Sequence, residues 1–181
     1  AREKVLRIRE GVESERVDTL VVEEPLEIRL DGAPLSITMR TPGSDFDLAA
    51  GFLVSEGVVS EGPEVTAIRY CAGATADGSN TYNVLDVSLA PGVALPDTSL
   101  ERNFYTSSSC GLCGKASLDA VRTKARWSVA DDGLRIDVPT LTVLPDRLRE
   151  AQRVFDRTGG LHAAGLFTAD GELLAVREDV G

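Results

Sequence analysis

The sequence contains few cysteines, histidines and aromatic residues. Its 181 residues include three cysteines and one histidine, and 5% are aromatic. An odd number of cysteines, two of them three positions apart, does not match the disulfide framework of a small secreted protein. No segment approaches the roughly 20 apolar residues that cross a bilayer, and the charged start Ala1–Lys4 lacks the apolar core of a signal peptide. We therefore expect a cytoplasmic protein with reduced thiols and no membrane partner.

The charge balance argues against a nucleic-acid partner. Nineteen Lys and Arg residues face 29 Asp and Glu residues, which gives a formal charge of -10. A broad surface of this sign repels a phosphate backbone. Hydrophobic residues make up 43% of the chain and charged residues 27%, as in ordinary globular proteins, and the length suffices for one core with a smaller appendage.

The first half of the chain shows a β-hairpin followed by a helix. Leu26–Leu30 and Leu35–Met39 alternate apolar and polar residues around the turn dipeptide Asp31-Gly32. Helical spacing then begins after Ser44, a suitable N-cap, and ends at Gly57. Asp45 and Asp47 lie in the first turn of this helix, where we expect capping and dipole roles rather than a carboxylate pair.

The rest of the chain alternates strands and helices. The predicted elements are strands at Val65–Tyr70, Val84–Leu89, Arg102–Thr106 and Leu134–Val138, helices at Gly114–Trp127 and Pro145–Arg157, and a hairpin of His162–Phe167 with Leu173–Val176. The predicted class is mixed α/β (α+β). We divide it into a β-hairpin and helix region, residues 1–100, and a second α/β region, residues 101–181. The chain stops at Gly181 just after a hydrophobic strand, so we expect the second region to lack its C-terminal portion.

The most reactive feature is the dithiol Cys110-Gly111-Leu112-Cys113, which sits at the entrance of a predicted helix. Amide donors, the positive helix end and the neighbouring Lys115 all stabilise a thiolate. One thiolate of such a pair can accept a sulfane sulfur, and its neighbour can then attack the persulfide. Sulfur-carrier and redox chemistry are both open to this dithiol.

The three cysteines and the histidine also allow other interpretations. Cys71, Cys110, Cys113 and His162 together could hold a structural zinc, which would make the protein a non-catalytic binding module that chaperones a partner. The two cysteines could also be small residues that fill a helix start, and Cys71 alone is typical of a buried small hydrophobe. His162 follows Gly159-Gly160 and suits a structural or a site role equally. Glu178 and Asp179 are either site residues or a solvated strand end.

Several blocks, in the same order along nearly the whole chain, carry a resemblance to a known family. These blocks are Glu24–Ile28, Met39–Gly43, Asp47–Leu53, Glu56-Gly57, Arg102–Phe104, Ser108–Lys115, Thr158–Ala164 and Val176–Gly181. Together they resemble the FdhD family, the accessory sulfurtransferases of formate dehydrogenase. This combination is far more specific than a C-x-x-C motif alone.

The resemblance implies a function and a fold. It implies a sulfurtransferase that takes sulfur from a cysteine desulfurase and passes it to the molybdenum cofactor, in its bis-molybdopterin guanine dinucleotide form, for formate dehydrogenase. Cys110 would carry the persulfide and Cys113 would be its partner. We expect no metal site and no tightly bound cofactor; in the zinc-stabilised alternative, the chaperoned partner would be a molybdoenzyme. The resemblance also implies a cytidine-deaminase-like larger domain with a smaller β-containing N-terminal part, and a homodimer.

Overall fold

The computed structural model describes residues 1–71, 81–93 and 132–180. The strands there are β1 (Arg2–Arg9), β2 (Val12–Thr19), β3 (Glu24–Leu30), β4 (Ala33–Arg40), β5 (Val65–Tyr70), β6 (Val84–Leu89), β7 (His162–Phe167) and β8 (Leu173–Asp179). The helices are α1 (Asp45–Ser55), α2 (Val138–Ala151) and α3 (Arg153–Thr158), with a 3-10 turn at Gly62–Glu64. These elements confirm the mixed α/β class.

The described residues form two compact units. The ribbon unit consists of Ala1–Glu23 and Gly133–Val180, and the sheet unit contains the described residues 24–71, 81–93 and 132. The predicted division near residue 100 and the cytidine-deaminase-like topology stay predictions. The predicted strand Arg102–Thr106 and helix Gly114–Trp127 lie outside the described residues.

The sheet unit is a four-stranded sheet, in the order β4-β3-β6-β5, with α1 packed against it. Strands β3 and β6 run parallel, and the two outer pairs are antiparallel. Alternate apolar side chains of β3 and β6 are buried against α1, and this core includes Leu26, Ile28, Leu53, Leu85 and Val87. Each such side chain contributes about 1.5–3 kcal/mol of burial free energy. The predicted strands Val65–Tyr70 and Val84–Leu89 are confirmed residue for residue.

The hairpin of β3 and β4 confirms the predicted turn. Asp31 and Gly32 have φ values of 46° and 85°, the left-handed conformations that a tight two-residue hairpin turn requires. The amide of Gly32 donates to Oδ1 of the buried Asp86, at 2.7 Å. A carboxylate distant in sequence therefore stabilises this turn.

Helix α1 begins and ends close to the predicted residues. Ser44 occupies the N-cap position, but its side chain makes no capping hydrogen bond. At the other end Gly57 adopts φ 71° and its amide donates to the Val54 carbonyl at 3.1 Å. Asp45 is buried, so it does more than interact with the helix dipole.

The ribbon unit contains a two-stranded antiparallel ribbon that the sequence analysis did not predict. Strands β1 and β2 pair over their full length around Glu10 and Gly11, whose φ values are 53° and 80°. Leu6 and Ile8 lie on one face and are exposed. A Glu-Gly dipeptide between alternating segments was the available signal.

The structure of residues 134–151 corrects two of the sequence predictions. The expected strand at Leu134–Val138 is wrong, because residues 132–137 are irregular and Val138 begins α2. Asp137 caps this helix by accepting the Thr140 amide at 2.6 Å, and that hydrogen bond lowers the pKa of Asp137. The predicted start at Pro145 is also wrong: Pro145 lies inside α2, and Pro139 occupies the first turn, where an amide needs no partner.

The second predicted hairpin, β7 with β8, is confirmed. The helix before it ends at Gly159, in the left-handed conformation at φ 70°, as the sequence predicted. A Cβ at Gly165 of β7 would lie 2.8 Å from Cε2 of Phe167 and 3.0 Å from Cδ1 of Leu148. Glycine therefore permits the close packing of α2 against this hairpin. None of the helices in the described ranges is long and apolar enough to cross a membrane.

Candidate functional site

The two cysteines predicted to carry the chemistry, Cys110 and Cys113, lie outside the described residues, as does Lys115. The other two candidate zinc ligands, Cys71 and His162, are among the described residues. Cys71 follows β5 in the sheet unit as a half-buried free thiol, and its amide donates to the Val84 carbonyl at 2.9 Å. It is thus less buried than a small core residue. Within the described ranges, no three His, Cys, Asp or Glu side chains are grouped to hold a metal ion.

His162 lies at an open cavity of about 490 Å³ in the ribbon unit. Three separate segments form this cavity: the residues after β2, the stretch from α3 to the start of β7, and the residue after β8. The lining residues are Val21, Glu23, Phe155, Gly160, Leu161, His162 and Val180. Blocks 158–164 and 176–181, which the sequence analysis singled out, therefore meet at one place in the structure.

The lining of the cavity combines apolar walls with two polar side chains. Phe155, Leu161 and Val180 supply the apolar surface. The exposed imidazole of His162 and the exposed carboxylate of Glu23 supply hydrogen-bonding groups. An apolar pocket with a few polar side chains is the usual form of a small-molecule site. Glu23 was not anticipated, because nothing in the local sequence connects residue 23 to residue 162.

Glu178 supports the cavity without lining it. Its carboxylate accepts hydrogen bonds from the amides of Val154 and Phe155, at 2.9 and 2.8 Å. These amides belong to the first turn of α3, where backbone donors have no partner inside the helix. Glu178 therefore fixes the start of α3, and with it the Phe155 ring at the cavity. The sequence left a site role and a solvated strand end open for Glu178, and the structure instead shows a half-buried carboxylate that caps α3.

The sheet unit contains a buried ion pair that the sequence analysis missed. Arg40 donates from Nε to Oδ1 of Asp45 at 3.1 Å and from Nη2 to Oδ2 at 3.0 Å. Arg40 also donates to Glu24 Oε2 at 3.3 Å, to the Tyr82 carbonyl at 3.3 Å and to Asn83 Oδ1 at 2.9 Å. One guanidinium thus connects the start of β3, the start of α1 and residues 82–83.

A phenol completes this buried cluster. The hydroxyl of Tyr70 donates to Oδ2 of Asp45 at 3.0 Å. Burial, reinforced by this hydrogen bond to a carboxylate, raises the pKa of Tyr70 above its usual value of 10.0. The available sequence signal was an arginine that ends a strand, followed after a Thr-Pro-Gly turn by an aspartate.

Comparisons with known proteins agree with the blocks found in the sequence. The chain is 71% identical to the sulfur carrier protein FdhD of Streptomyces avermitilis, over 99% of this chain and 64% of that protein. It is 58% identical to the sulfur carrier protein FdhD of Mycolicibacterium paratuberculosis, over 100% of this chain and 66% of that protein. The chain thus spans about two thirds of the length of these relatives.

A solved structure shares the fold. It comes from Desulfotalea psychrophila, is described as a candidate formate dehydrogenase accessory protein, and matches with a TM-score of 0.65 at 19% identity. The match covers all of this chain and 62% of that one. The model of the FdhD/NarQ family matches residues 21–181, which include the cavity, the buried ion pair and the dithiol. The chain belongs to the FdhD/NarQ family.

Proposed function

We propose that this protein is a sulfur carrier that serves formate dehydrogenase. It takes persulfide sulfur from a cysteine desulfurase and transfers it to the molybdenum cofactor in its bis-molybdopterin guanine dinucleotide form. One observation carries the proposal: the dithiol Cys110-Gly111-Leu112-Cys113 occurs in a chain that is 71% identical to a protein named as a sulfur carrier.

The loading step is a thiol exchange at Cys110. The Cys110 thiolate attacks the terminal sulfur of the desulfurase persulfide, a new S–S bond forms, and the old S–S bond breaks. The desulfurase cysteine leaves as a thiolate, and Cys110 carries the sulfane sulfur as a persulfide. No net electron transfer occurs, so this step needs no external oxidant or reductant.

The release step uses Cys113. Its thiolate attacks the inner sulfur of the Cys110 persulfide, which forms a Cys110–Cys113 disulfide and expels hydrosulfide. The two thiols supply the two electrons that reduce sulfane sulfur to sulfide. The hydrosulfide is then available to the molybdenum of the acceptor, and a cellular dithiol must reduce the disulfide before the next cycle.

The cavity beside His162 is our candidate for binding the acceptor. Its apolar walls and the Phe155 ring suit a planar heterocycle, and His162 and Glu23 offer hydrogen bonds at its edge. The protein's partners are then the cysteine desulfurase and formate dehydrogenase. We also propose that the protein is cytoplasmic and forms a homodimer.

Intact-mass spectrometry tests the loading step. The protein is incubated with a cysteine desulfurase and cysteine, and its mass is measured with and without reductant. We expect a reductant-sensitive gain of one sulfur, about 32 Da, which Cys110→Ala abolishes. Cys71→Ala is the matched control, because it removes the half-buried thiol of the sheet unit and should load normally.

Two results would contradict the proposal. One is retained loading in Cys110→Ala, which would move the persulfide to another residue. The other is no loading in the unaltered protein together with one bound zinc per chain in native mass spectra. That second result would favour the zinc-stabilised binding module.

A further inference from the structure

The ribbon of β1 and β2 is exposed over most of its length. Within the described ranges, these two strands pair only with each other. Leu6 is 59% exposed and Ile8 is 65% exposed, although both side chains are large and apolar. A two-stranded sheet is at best marginally stable in water, and stability normally needs a third strand or a packed helix. The ribbon is therefore suited to the addition of another strand.

The outer edge of β1, the side that faces away from β2, offers backbone groups to such a strand. The Ala1 amine donates to the Leu20 carbonyl and the Leu20 amide donates to the Ala1 carbonyl, both at 2.8 Å. Hydrogen-bonded pairs alternate along an antiparallel ladder, so every second residue of β1 directs its backbone N–H and C=O outwards. These residues are Arg2, Lys4, Leu6 and Ile8. Such an edge is a template for an incoming strand.

The charges of β1 allow this edge to pair with its own copy. A two-fold axis perpendicular to the sheet pairs identical strands antiparallel, with one residue of each strand on the axis. An axis at Lys4 or at Arg7 sets two like charges opposite each other, which is destabilising. An axis at Val5 sets Leu6 opposite a lysine. An axis at Leu6 sets two leucines together and brings no like charges opposite each other.

The axis at Leu6 also pairs the remaining side chains favourably. Glu3 then faces Arg9 of the second copy, and symmetry repeats this pair of opposite charges on the other side of the axis. Lys4 faces Ile8 of the second copy, where the aliphatic stem of the lysine covers apolar surface. The exposed Leu6 and Ile8 side chains of both copies thereby form one continuous apolar strip on a single face of the sheet.

The ribbon by itself leaves Glu3 opposite a like charge. Its neighbour across the ladder is Asp18, and Asp18 accepts a hydrogen bond from Arg16 at 2.6 Å. An arginine on the other side of Glu3 supplies the opposite charge that this cross-strand pair lacks. The second copy places Arg9 there.

The outer edge of β2 is less suited to self-pairing. An axis at Ser14 sets Glu13 opposite Glu15, and an axis at Glu15 or Arg16 sets two like charges together. Of the four central positions of β2, only Val17 avoids such a pair, and an axis there leaves much of the strand without a partner.

We propose that the outer edge of β1 pairs with the same edge of a second copy of this chain, antiparallel and with the two-fold axis at Leu6, to form a four-stranded sheet. The inference names an interface for the homodimer proposed above, so it rests on that part of the proposed function and not on the dithiol chemistry. The ribbon precedes residues 21–181, which the family model matches. The interface thus lies outside the stretch that assigns the chain to its family.

The experiment is analytical ultracentrifugation of the whole 181-residue chain at about 150 mM salt. Protein concentrations run from about 1 μM to about 1 mM, the range of weak association. We expect a dimer that Glu3→Arg weakens about tenfold, because both pairs of opposite charges become pairs of arginines. In its own ribbon the introduced arginine faces Asp18, so this variant should keep the hairpin folded.

Two further variants test the register and the edge. Arg9→Glu added to Glu3→Arg recreates both pairs with their signs exchanged, and it should restore the affinity. Glu13→Arg reverses a charge on the outer edge of β2 and is the matched control, since it should leave the dimer unchanged. Persulfide loading is measured on the same samples by intact mass, so the sulfur chemistry is scored separately.

Unweakened dimerisation of Glu3→Arg would overturn this interface and leave the homodimer to another surface. Restoration by Arg7→Glu in place of Arg9→Glu would overturn the register with Leu6 on the axis. A monomer at every concentration would overturn both the interface and the homodimer, and would leave the edge of β1 to a strand of another protein.

Discussion

Arg40 and Asp45 form an ion pair through two hydrogen bonds, and each side chain is only 2% exposed to solvent. A planar guanidinium matches a carboxylate in this two-fold geometry, which lysine cannot reproduce. Removal of Asp45 leaves the buried Arg40 guanidinium with the partly exposed carboxylate of Glu24, at 3.3 Å, as its remaining ionic contact in the described part of the chain. The pair is therefore a sensitive point of the sheet unit.

Asp45→Asn should lower the free energy of unfolding by about 3–5 kcal/mol, because the charge of Arg40 loses its buried partner. Urea unfolding followed by circular dichroism measures this change. Asp156→Asn is the control, since Asp156 pairs with Arg149 at 2.6 Å where both side chains are about half exposed. Solvent screens that pair, so its loss should be close to undetectable. Similar losses in the two variants would mean that burial does not strengthen the Arg40–Asp45 interaction.

Glu178→Ala should destabilise the start of α3 by about 0.5–2 kcal/mol, as the loss of a helix-capping side chain does. The Val154 and Phe155 amides lose their acceptor, so their hydrogen exchange should accelerate. Glu172→Ala, an exposed position before β8, is the control. Unchanged exchange at both amides in Glu178→Ala would contradict the role given to this carboxylate.

Ionisation of Tyr70 should lower the free energy of unfolding at alkaline pH. Its pKa is raised in the folded protein by burial and by the hydrogen bond to Asp45. Below the unfolded-state pKa of about 10 both states keep the phenol protonated, and the stabilising contribution is fully present. Above it the unfolded chain releases the proton first, so the contribution is lost as the pH rises towards the folded-state pKa.

The measurement is urea unfolding of the unaltered chain and of Tyr70→Phe between about pH 8 and pH 11. The stability difference between the two should shrink above about pH 10, because phenylalanine has no proton to lose. Phe46→Leu alters the same ring contact without a titrating group, and it should retain the decline. A difference that stays constant over this range would refute the assignment to Tyr70.

Cys113→Ala should separate loading from release. The variant should still gain about 32 Da with a desulfurase and cysteine, because Cys110 remains. It should release sulfide more slowly than the unaltered chain, since no neighbouring thiol attacks the persulfide. Sulfide is measured by a colorimetric assay in the absence of other reductants. Release at the same rate in both proteins would exclude Cys113 from the second step.

The sequence predicted those elements whose signals are local. The Asp31-Gly32 turn, strands β5 and β6, and the end of α3 at Gly159 all depend on neighbouring residues. Alternating polarity and turn dipeptides describe such elements completely. Local patterns fail where two of them compete. Val138 continues a short apolar pattern, yet the cap from Asp137 and a proline in the first turn favour a helix there.

Contacts between distant residues could not be predicted in this way. Glu178 bonds to amides 23 and 24 positions earlier, and Arg40 reaches Asn83 across 43 positions. His162 was singled out as a candidate from its glycine-rich surroundings, but Glu23 was not, because only the folded chain brings the two to one cavity. The assignment of the chemistry to Cys110 and Cys113 stays a prediction from the dithiol and the family.

The ribbon unit is discontinuous, since Ala1–Glu23 pack with Gly133–Val180. A ribosome that adds about 5–20 residues per second needs roughly 5–20 s to synthesise the stretch between these two segments. All four strands of the sheet unit and α1 are made within that interval. The segment Ala1–Glu23 must therefore wait for its partner. During synthesis Val21 and Glu23 stay without Phe155, Leu161 and His162, so the cavity can form only after the last described hairpin has emerged.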